Sequence, residues 1–238
     1  MGLERIRKIG KITKEKIMKK IICIEGTDCS GKETQSNMLK AKLEEKGYGI
    51  YKTSFPMYDS TTGRIISEVY LGRTGNGWFS EGATNVDPKV AGLYYSADRL
   101  YNLPKIQEQL KENYVILDRY VDSNLAHQGA KILDKQEREN MYSFFETLEY
   151  DLLKLPKPDI NVLLYMPSKF SEMLNKNRDC IDEHERNREY MLQAETAYLE
   201  VANRHNYKII NCVENGVLRT IEDINKELVE YILSEIEK

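Results

Sequence analysis

The stretch "EGTDCSGKETQ", Glu25 to Gln35, decides how the rest of the chain is read. Gly26, Gly31 and Lys32 stand at the spacing G-x-x-x-x-G-K, in which backbone N–H groups wrap a phosphate and the lysine reaches the outer phosphates. The next residue, where a Ser or Thr hydroxyl ordinarily meets Mg²⁺, is Glu33, and a hydroxyl follows one place later at Thr34. Ahead of the loop lies the apolar run "KIICIEG" (20–26). After it, "ETQSNMLKAKLEEKG" (33–47) carries Met38, Leu39 and Leu43 at helical spacing and stops at Gly47. Strand, glycine loop and helix in that order make an anion cradle, because a helix N-terminus presents unpaired N–H groups and the positive end of its dipole. Gly26, Thr27, Cys29, Ser30, Gly31, Lys32, Glu33 and Thr34 are the expected contacts to a nucleotide phosphate. Lys32 is placed to follow the charge that develops in phosphoryl transfer. A tight turn alone would explain the glycines but not the lysine.

Working outward, four more short apolar runs alternate with helical stretches: "YGIYKTSF" (48–55), "YVILDRY" (114–120), "DINVLLYM" (159–166) and "YKIINC" (207–212). That alternation predicts an α/β fold, a five-stranded parallel sheet with helices on both faces. The Gly- and Asn-rich segment 72–88 reads as a mobile connection, and "NKNRDCIDEHERNREY" (175–190) as a solvated helical flap. The helical stretch "NMYSFFETLEYDLL" (140–153) reads as core by default, or as an interface.

The 238 residues suit one domain, here 19–238, after a basic tail over 1–18 that lacks the apolar stretch of a secretory signal. With 41% hydrophobic and 31% charged residues and no apolar run near the length of a membrane span, a soluble, cytoplasmic protein is expected. A net charge of −3 argues against general nucleic-acid binding. Cys23, Cys29, Cys180 and Cys212 lack metal-ligand spacing and form no disulfide framework.

Beyond the loop, Asp118 and Arg119 of "DRY" close the third strand, and ligands in open α/β sheets bind at strand carboxyl ends. Asp118 can hold Mg²⁺ directly or through water, and Arg119 can neutralise phosphate oxygens. Asp28, inside the phosphate loop, is expected to face a sugar hydroxyl or Mg²⁺ on the acceptor side, or to stabilise the loop as an Asx turn. Arg99, on a helix beside Tyr94 and Tyr95, offers a planar fork for a monophosphate next to an aromatic face for a base.

Five ordered motifs, "EGTDCSGK", "FPMYDSTTG" (55–63), "VDPKVAGLYYSADR" (86–99), "VILDRYVDSNLAHQGAK" (115–131) and "LPKPD" (155–159), closely resemble those of thymidylate kinases. The resemblance implies a three-layer P-loop NTPase fold, a homodimer, MgATP as phosphoryl donor and dTMP as acceptor, giving dTDP. It makes Asp28 the loop carboxylate near the acceptor. Phe55, Pro56 and Tyr58 become the segment approaching dTMP, Tyr95 the aromatic that stacks on thymine, and Arg99 the arginine near thymine and monophosphate. Asp118 and Arg119 fall on the metal-side and phosphate-side pair, and Asn124, His127 and Gln128 line the deoxynucleoside. The flap at 174–189 resembles the family's lid. The phosphate loop contains no Arg, so a lid arginine is expected in catalysis, with Arg178 ahead of Arg186 and Arg188.

Four positions depart from the family pattern. Glu33 replaces the first hydroxyl residue, which leaves Mg²⁺ to Asp118, to Glu33, to Asp28 or to waters. Met57 stands where many relatives carry an arginine, His127 where they often have an aromatic, and Cys29 where glycine is common. The rival expectations are a kinase for another pyrimidine monophosphate or a deoxynucleoside, and a non-catalytic nucleotide binder.

Overall fold

The computed structural model describes residues 19–73, 75, 77–175 and 188–238. The basic tail and most of the expected lid, Arg178 and Arg186 included, lie outside the described residues.

Five strands, β1 (Ile21–Gly26), β2 (Ile50–Ser54), β3 (Tyr114–Asp118), β4 (Ile160–Tyr165) and β5 (Lys208–Asn211), form one parallel sheet in the order β2-β3-β1-β4-β5. All five runs anticipated from sequence are strands. Every residue of β1 and of β3 is buried, as expected for central strands covered on both faces. Side chains alternate between those faces. Ile22, Ile24, Ile116, Val162 and Leu164 pack against α1 (Lys32–Glu45) and the C-terminal α8 (Ile221–Ile236) through Leu39, Leu43, Leu228 and Ile232. Ile21, Cys23, Val115 and Leu117 point the other way. They meet α3 (Pro88–Gln109), α4 (Val121–Gly129) and α5 (Lys135–Glu146) through Ile106, Val121, Leu125, Met141 and Phe145. Three layers result, and α6 (Ser168–Asn175) and α7 (Arg188–Arg204) complete the helices beside β4.

Parallel register aligns the strand ends that build the site. Ser54 pairs with Asp118, Asp118 with Ile24, and Gly26 with Leu164. Two β1 neighbours, β3 and β4, lie on opposite sides of it, which opens a crevice beyond its carboxyl end.

Three local features were not anticipated. The segment Thr61–Tyr70 is helical, α2 (Thr61–Ile65) running into a wider π-type turn. Residues 72–88, read from composition as a mobile connection, contribute to a third core cluster in which Ala83 and Val86 pack with Ile66, Tyr70 and Ala91. The half-buried Lys131 ammonium donates to the carbonyls of Ala83 (3.0 Å) and Val86 (3.0 Å) and to the Tyr70 hydroxyl (3.2 Å), fastening that segment to the end of α4. The third is a hairpin, β6 (Val213–Glu214) and β7 (Val217–Leu218), turned by Asn215 and Gly216, both with positive φ. Met141, Tyr142 and Phe145, from the stretch 140–153, are core. No helix among the described residues is long and apolar enough to cross a membrane.

Candidate active site

The phosphate loop is tight because glycine permits it. A Cβ on Gly26 would fall 2.4 Å from Ser30 Oγ and 2.9 Å from the Leu164 carbonyl, and Gly31 (φ 73°) turns the chain into α1 in the left-handed region. The outer rim is pinned to β4 and α6: Thr27 Oγ1 donates to the Met166 carbonyl (2.7 Å) and accepts from its N–H (2.8 Å), and Ser171 Oγ donates to the Asp28 carbonyl (2.8 Å). Lys32 Nζ donates to the carbonyls of Gly26 (2.8 Å) and Thr27 (3.3 Å). Burial first, and the Arg119 charge second, bring its pKa down to about 8 against the opposing pull of Asp28, Asp118 and Glu25. Ser30 Oγ is buried and has no partner among the described residues. An unsatisfied hydroxyl, a helix N-terminus and a desolvated ammonium around one groove of about 530 Å³ fit a polyphosphate.

The same groove has few protein ligands for a cation. No cluster of three or more acidic, His or Cys side chains suited to a metal occurs among the described residues. Asp118 is buried and accepts from Ser36 Oγ (3.4 Å), while Glu33 and Thr34 are exposed at the start of α1. That donor set suits Mg²⁺, which keeps waters and takes phosphate oxygens rather than a full protein cage.

Arg119 leaves β3 with φ 68°, a strained conformation for a side-chain-bearing residue. A buried carboxylate holds the turn in place. Glu25 accepts the Tyr120 N–H (2.8 Å) and the Ser123 N–H (3.0 Å), capping α4, and also accepts the Ser123 hydroxyl. Both Glu25 oxygens are thereby engaged, although burial raises its pKa. The Arg119 guanidinium donates to Tyr198 Oη (2.9 Å), Ser123 Oγ (3.3 Å) and His127 Nε2 (3.0 Å). Guanidinium only donates, so Nε2 accepts and the imidazole proton sits on Nδ1, 2.8 Å from Tyr190 Oη. Arg119 is thus tied to α7 through a tyrosine and a histidine.

On the acceptor side, a cleft of about 140 Å³ is lined by Asp28, Phe55, Pro56, Tyr58, Tyr95, Arg99, Asn124, His127 and Gln128, which are all the substrate contacts expected from sequence apart from Arg119, and that residue lines it too. The segment carrying Phe55 to Tyr58, which begins with a cis Phe55–Pro56 peptide, hangs on Asp98. That buried carboxylate accepts the Met57 N–H (2.8 Å), Ser60 Oγ (3.0 Å), Thr62 Oγ1 (2.6 Å) and Asn102 Nδ2 (3.0 Å). Arg99 departs from the sequence reading. Its fork closes on Glu149, with Nε to Oε2 and Nη2 to Oε1 both at 2.5 Å, and only the Nη1 edge, 3.4 Å from the Tyr120 carbonyl, remains for the cleft. A guanidinium at 2% exposure needs a counter-charge, and Glu149, wholly buried, supplies it.

Two acceptors stand unsatisfied in the lining of the same cleft. Asn124 donates through Nδ2 to Glu149 (3.3 Å) and the Gly92 carbonyl (3.4 Å), which orients its Oδ1 the other way, and neither this oxygen nor Gln128 Oε1 has a partner among the described residues. Both residues are buried, so each oxygen calls for a donor from a ligand.

The sequence profile described as thymidylate kinase matches residues 24–224. The chain belongs to the thymidylate kinase family. A probable thymidylate kinase of Pyrococcus horikoshii is 31% identical over 218 residues, spanning 90% of this chain and 96% of that one. Another, from Methanocaldococcus jannaschii, is 28% identical over 211 residues, spanning 89% and 94%. The fold is also that of the thymidylate kinase from Candida albicans, with a TM-score of 0.69 at 23% identity, over 91% of this chain and 92% of that one. The family's phosphate loop, "FPMYDSTTG" segment and "DRY" turn are therefore one contiguous site here.

Several members of that site were not legible beforehand. Glu25 stands next to the loop motif but reads as part of a strand. Glu149 carries the only sequence hint of its role in being a carboxylate within an aromatic-rich helical stretch. Asp98 falls inside the "VDPKVAGLYYSADR" motif without a role of its own being assigned to it, and neither Tyr198 nor Arg73 carried a signal. The expected Arg178 lies outside the described residues.

Proposed function

We propose that this chain transfers the γ-phosphoryl group of MgATP to the 5′-phosphate of dTMP, giving dTDP and ADP. The carrying observation is that one cleft is lined both by unpaired acceptors, at Asn124 and Gln128, and by the donating Nη1 edge of Arg99. Thymine presents one N–H between two carbonyls, and so offers a donor to an amide oxygen and an acceptor to the guanidinium edge. Cytosine offers an unprotonated ring nitrogen at that place and sets lone pair against lone pair. Tyr95, kept protonated by a burial-raised pKa, supplies an apolar wall.

In the transfer, a phosphate oxygen of dTMP attacks the γ-phosphorus and the bond to the bridging oxygen of ADP breaks. The acceptor is already anionic near neutral pH, so no general base is required. That suits the cleft, whose lining among the described residues contains no carboxylate other than Asp28. Glu25, the nearest alternative by sequence, is occupied as the cap of α4. Lys32 and Arg119 offset charge on the transferred group, and preorganised charges of this kind, not covalent chemistry, lower the barrier. Asp118 would hold Mg²⁺, and the ion would supply further charge neutralisation there.

The apolar stripe Val90, Leu93, Leu100 and Tyr101 on the outer side of α3, continued by Phe144, is exposed at 39–59% and is the face we assign to a homodimer. The buried cysteines Cys23 and Cys212 are free thiols, in keeping with a cytoplasmic setting.

ADP release with MgATP tests the reading across dTMP, dUMP, dCMP, dGMP, thymidine and no acceptor. Turnover led by dTMP supports it. Turnover led by thymidine or dCMP overturns it, and nucleotide binding without turnover marks a non-catalytic protein.

A further inference from the structure

Donor groove and acceptor cleft share six lining residues, Asp28, Phe55, Pro56, Tyr58, Arg73 and Arg119. Two phosphates must meet at that junction for transfer to occur, and only two of the six side chains are cationic. One, Arg119, is the expected phosphate ligand. The other, Arg73, lies in the segment that composition marks as a connection.

Arg73 is held for use there. Its guanidinium carbon sits 4.4 Å from the centroid of the Tyr58 ring, and no ion pair engages it among the described residues. Its N–H donates to the Ser67 carbonyl (2.9 Å), so the backbone is anchored to the end of the Thr61–Tyr70 helix. Gly72, at φ 62°, makes the turn that brings it in. A Cβ on Gly72 would meet the Gly77 nitrogen at 2.5 Å, so these two glycines stand in close approach. Met57, the neighbour of Tyr58, is buried in the core beneath the sheet and lines neither cavity.

We propose that Arg73 is the second arginine of the acceptor phosphate site, supplied from the loop beside Tyr58. The inference rests on the functional reading above. A guanidinium stacked on Tyr58 keeps its N–H edges for phosphate oxygens, and a dianionic monophosphate between Arg73 and Arg119 would be gripped from two sides. Arg73 then discriminates by charge: it contributes to binding a nucleoside monophosphate and nothing to the nucleoside.

The test is calorimetric binding of dTMP and of thymidine to the wild-type protein, R73Q and R73K, with steady-state kinetics alongside. Loss of a charge-assisted contact predicts about a 10- to 100-fold weaker dTMP affinity in R73Q, a matching rise in KM for dTMP, and thymidine affinity within about twofold of wild type. R73K is expected to recover part of the dTMP loss through its point charge. Equal losses for dTMP and thymidine would make Arg73 a mere packing partner of Tyr58 and overturn the proposal, as would an R73Q whose dTMP affinity is unchanged. Wild-type protein that turns over dTMP in either of those cases leaves the functional reading standing. Wild-type protein that binds dTMP no better than thymidine overturns both.

Discussion

Replacing Glu149 with Gln keeps the side chain's shape and removes its charge, which isolates what the buried pair with Arg99 does. In the native protein the carboxylate receives both forked contacts from Arg99, the Ser96 hydroxyl (3.0 Å) and Asn124 Nδ2 (3.3 Å). The amide retains one accepting oxygen but turns a donor toward groups that are themselves donors, and Arg99, 2% exposed, is left without a counter-charge. Breaking one side of a buried pair costs about 3–5 kcal/mol, and the retained acceptor argues for the lower end, about 3 kcal/mol. For a chain of this size that is a fall of about 6–12 °C in Tm. Differential scanning calorimetry with a urea titration reads it directly. A paired change to apolar residues, Arg99→Met with Glu149→Leu, removes both charges and is expected to regain most of the stability lost in Glu149→Gln. A Glu149→Gln loss below about 1 kcal/mol, or a double variant less stable than the single one, would refute the argument that Glu149 exists to neutralise Arg99. Since the same carboxylate orients Asn124, the single variant should also weaken dTMP binding while leaving ATP binding unchanged.

Lys32 binds phosphate only as an ammonium, and its pKa in the free protein is held near 8, so MgATP affinity should be constant below that pH and fall about tenfold per unit above it. Affinity that stays flat to pH 9.5 in calorimetry would contradict the assignment, whereas Lys32→Ala should bind weakly with no such slope. His205 sits between Asp122 (2.7 Å) and Glu146 (2.8 Å). Burial works against its charge, but the two carboxylates prevail and raise its pKa from 6.5 to about 9. A raised pKa stabilises the fold fully below pH 6.5, and that contribution disappears as pH climbs through 9. With the ring 23% exposed, solvent screening leaves about 1–2 kcal/mol, which should appear as a difference in urea midpoint between pH 6 and pH 10 that His205→Asn lacks. Gly63→Ala places a Cβ 1.9 Å from the Met57 carbonyl, so the segment bearing Tyr58 must shift. Such overpacking costs about 1–3 kcal/mol and should raise the KM for dTMP more than that for ATP, and equal effects on both would count against it.

Features that depend on near neighbours along the chain were legible in the residues alone. Apolar runs of strand length predicted all five strands, most plainly the central β1 and β3, since residues buried on two faces must be apolar whatever packs on them. The phosphate loop was legible because its function resides in backbone N–H groups and glycine conformations, which follow from local spacing. Tertiary structure alone decided the partners of the charged residues. Arg99 reads as a phosphate fork until folding brings Glu149 against it from a helix 50 residues away, and a buried guanidinium accepts no lesser neighbour. Glu25 reads as the last polar residue of a strand, and becomes the cap of α4 only because parallel register sets the end of β1 beside the end of β3. Arg73 reads as part of a loose connection, and the turn at Gly72 together with the Tyr58 ring carries it to the junction of two cavities. Charge is specified residue by residue, but what it neutralises is specified by distance in space, which the chain acquires only when it folds.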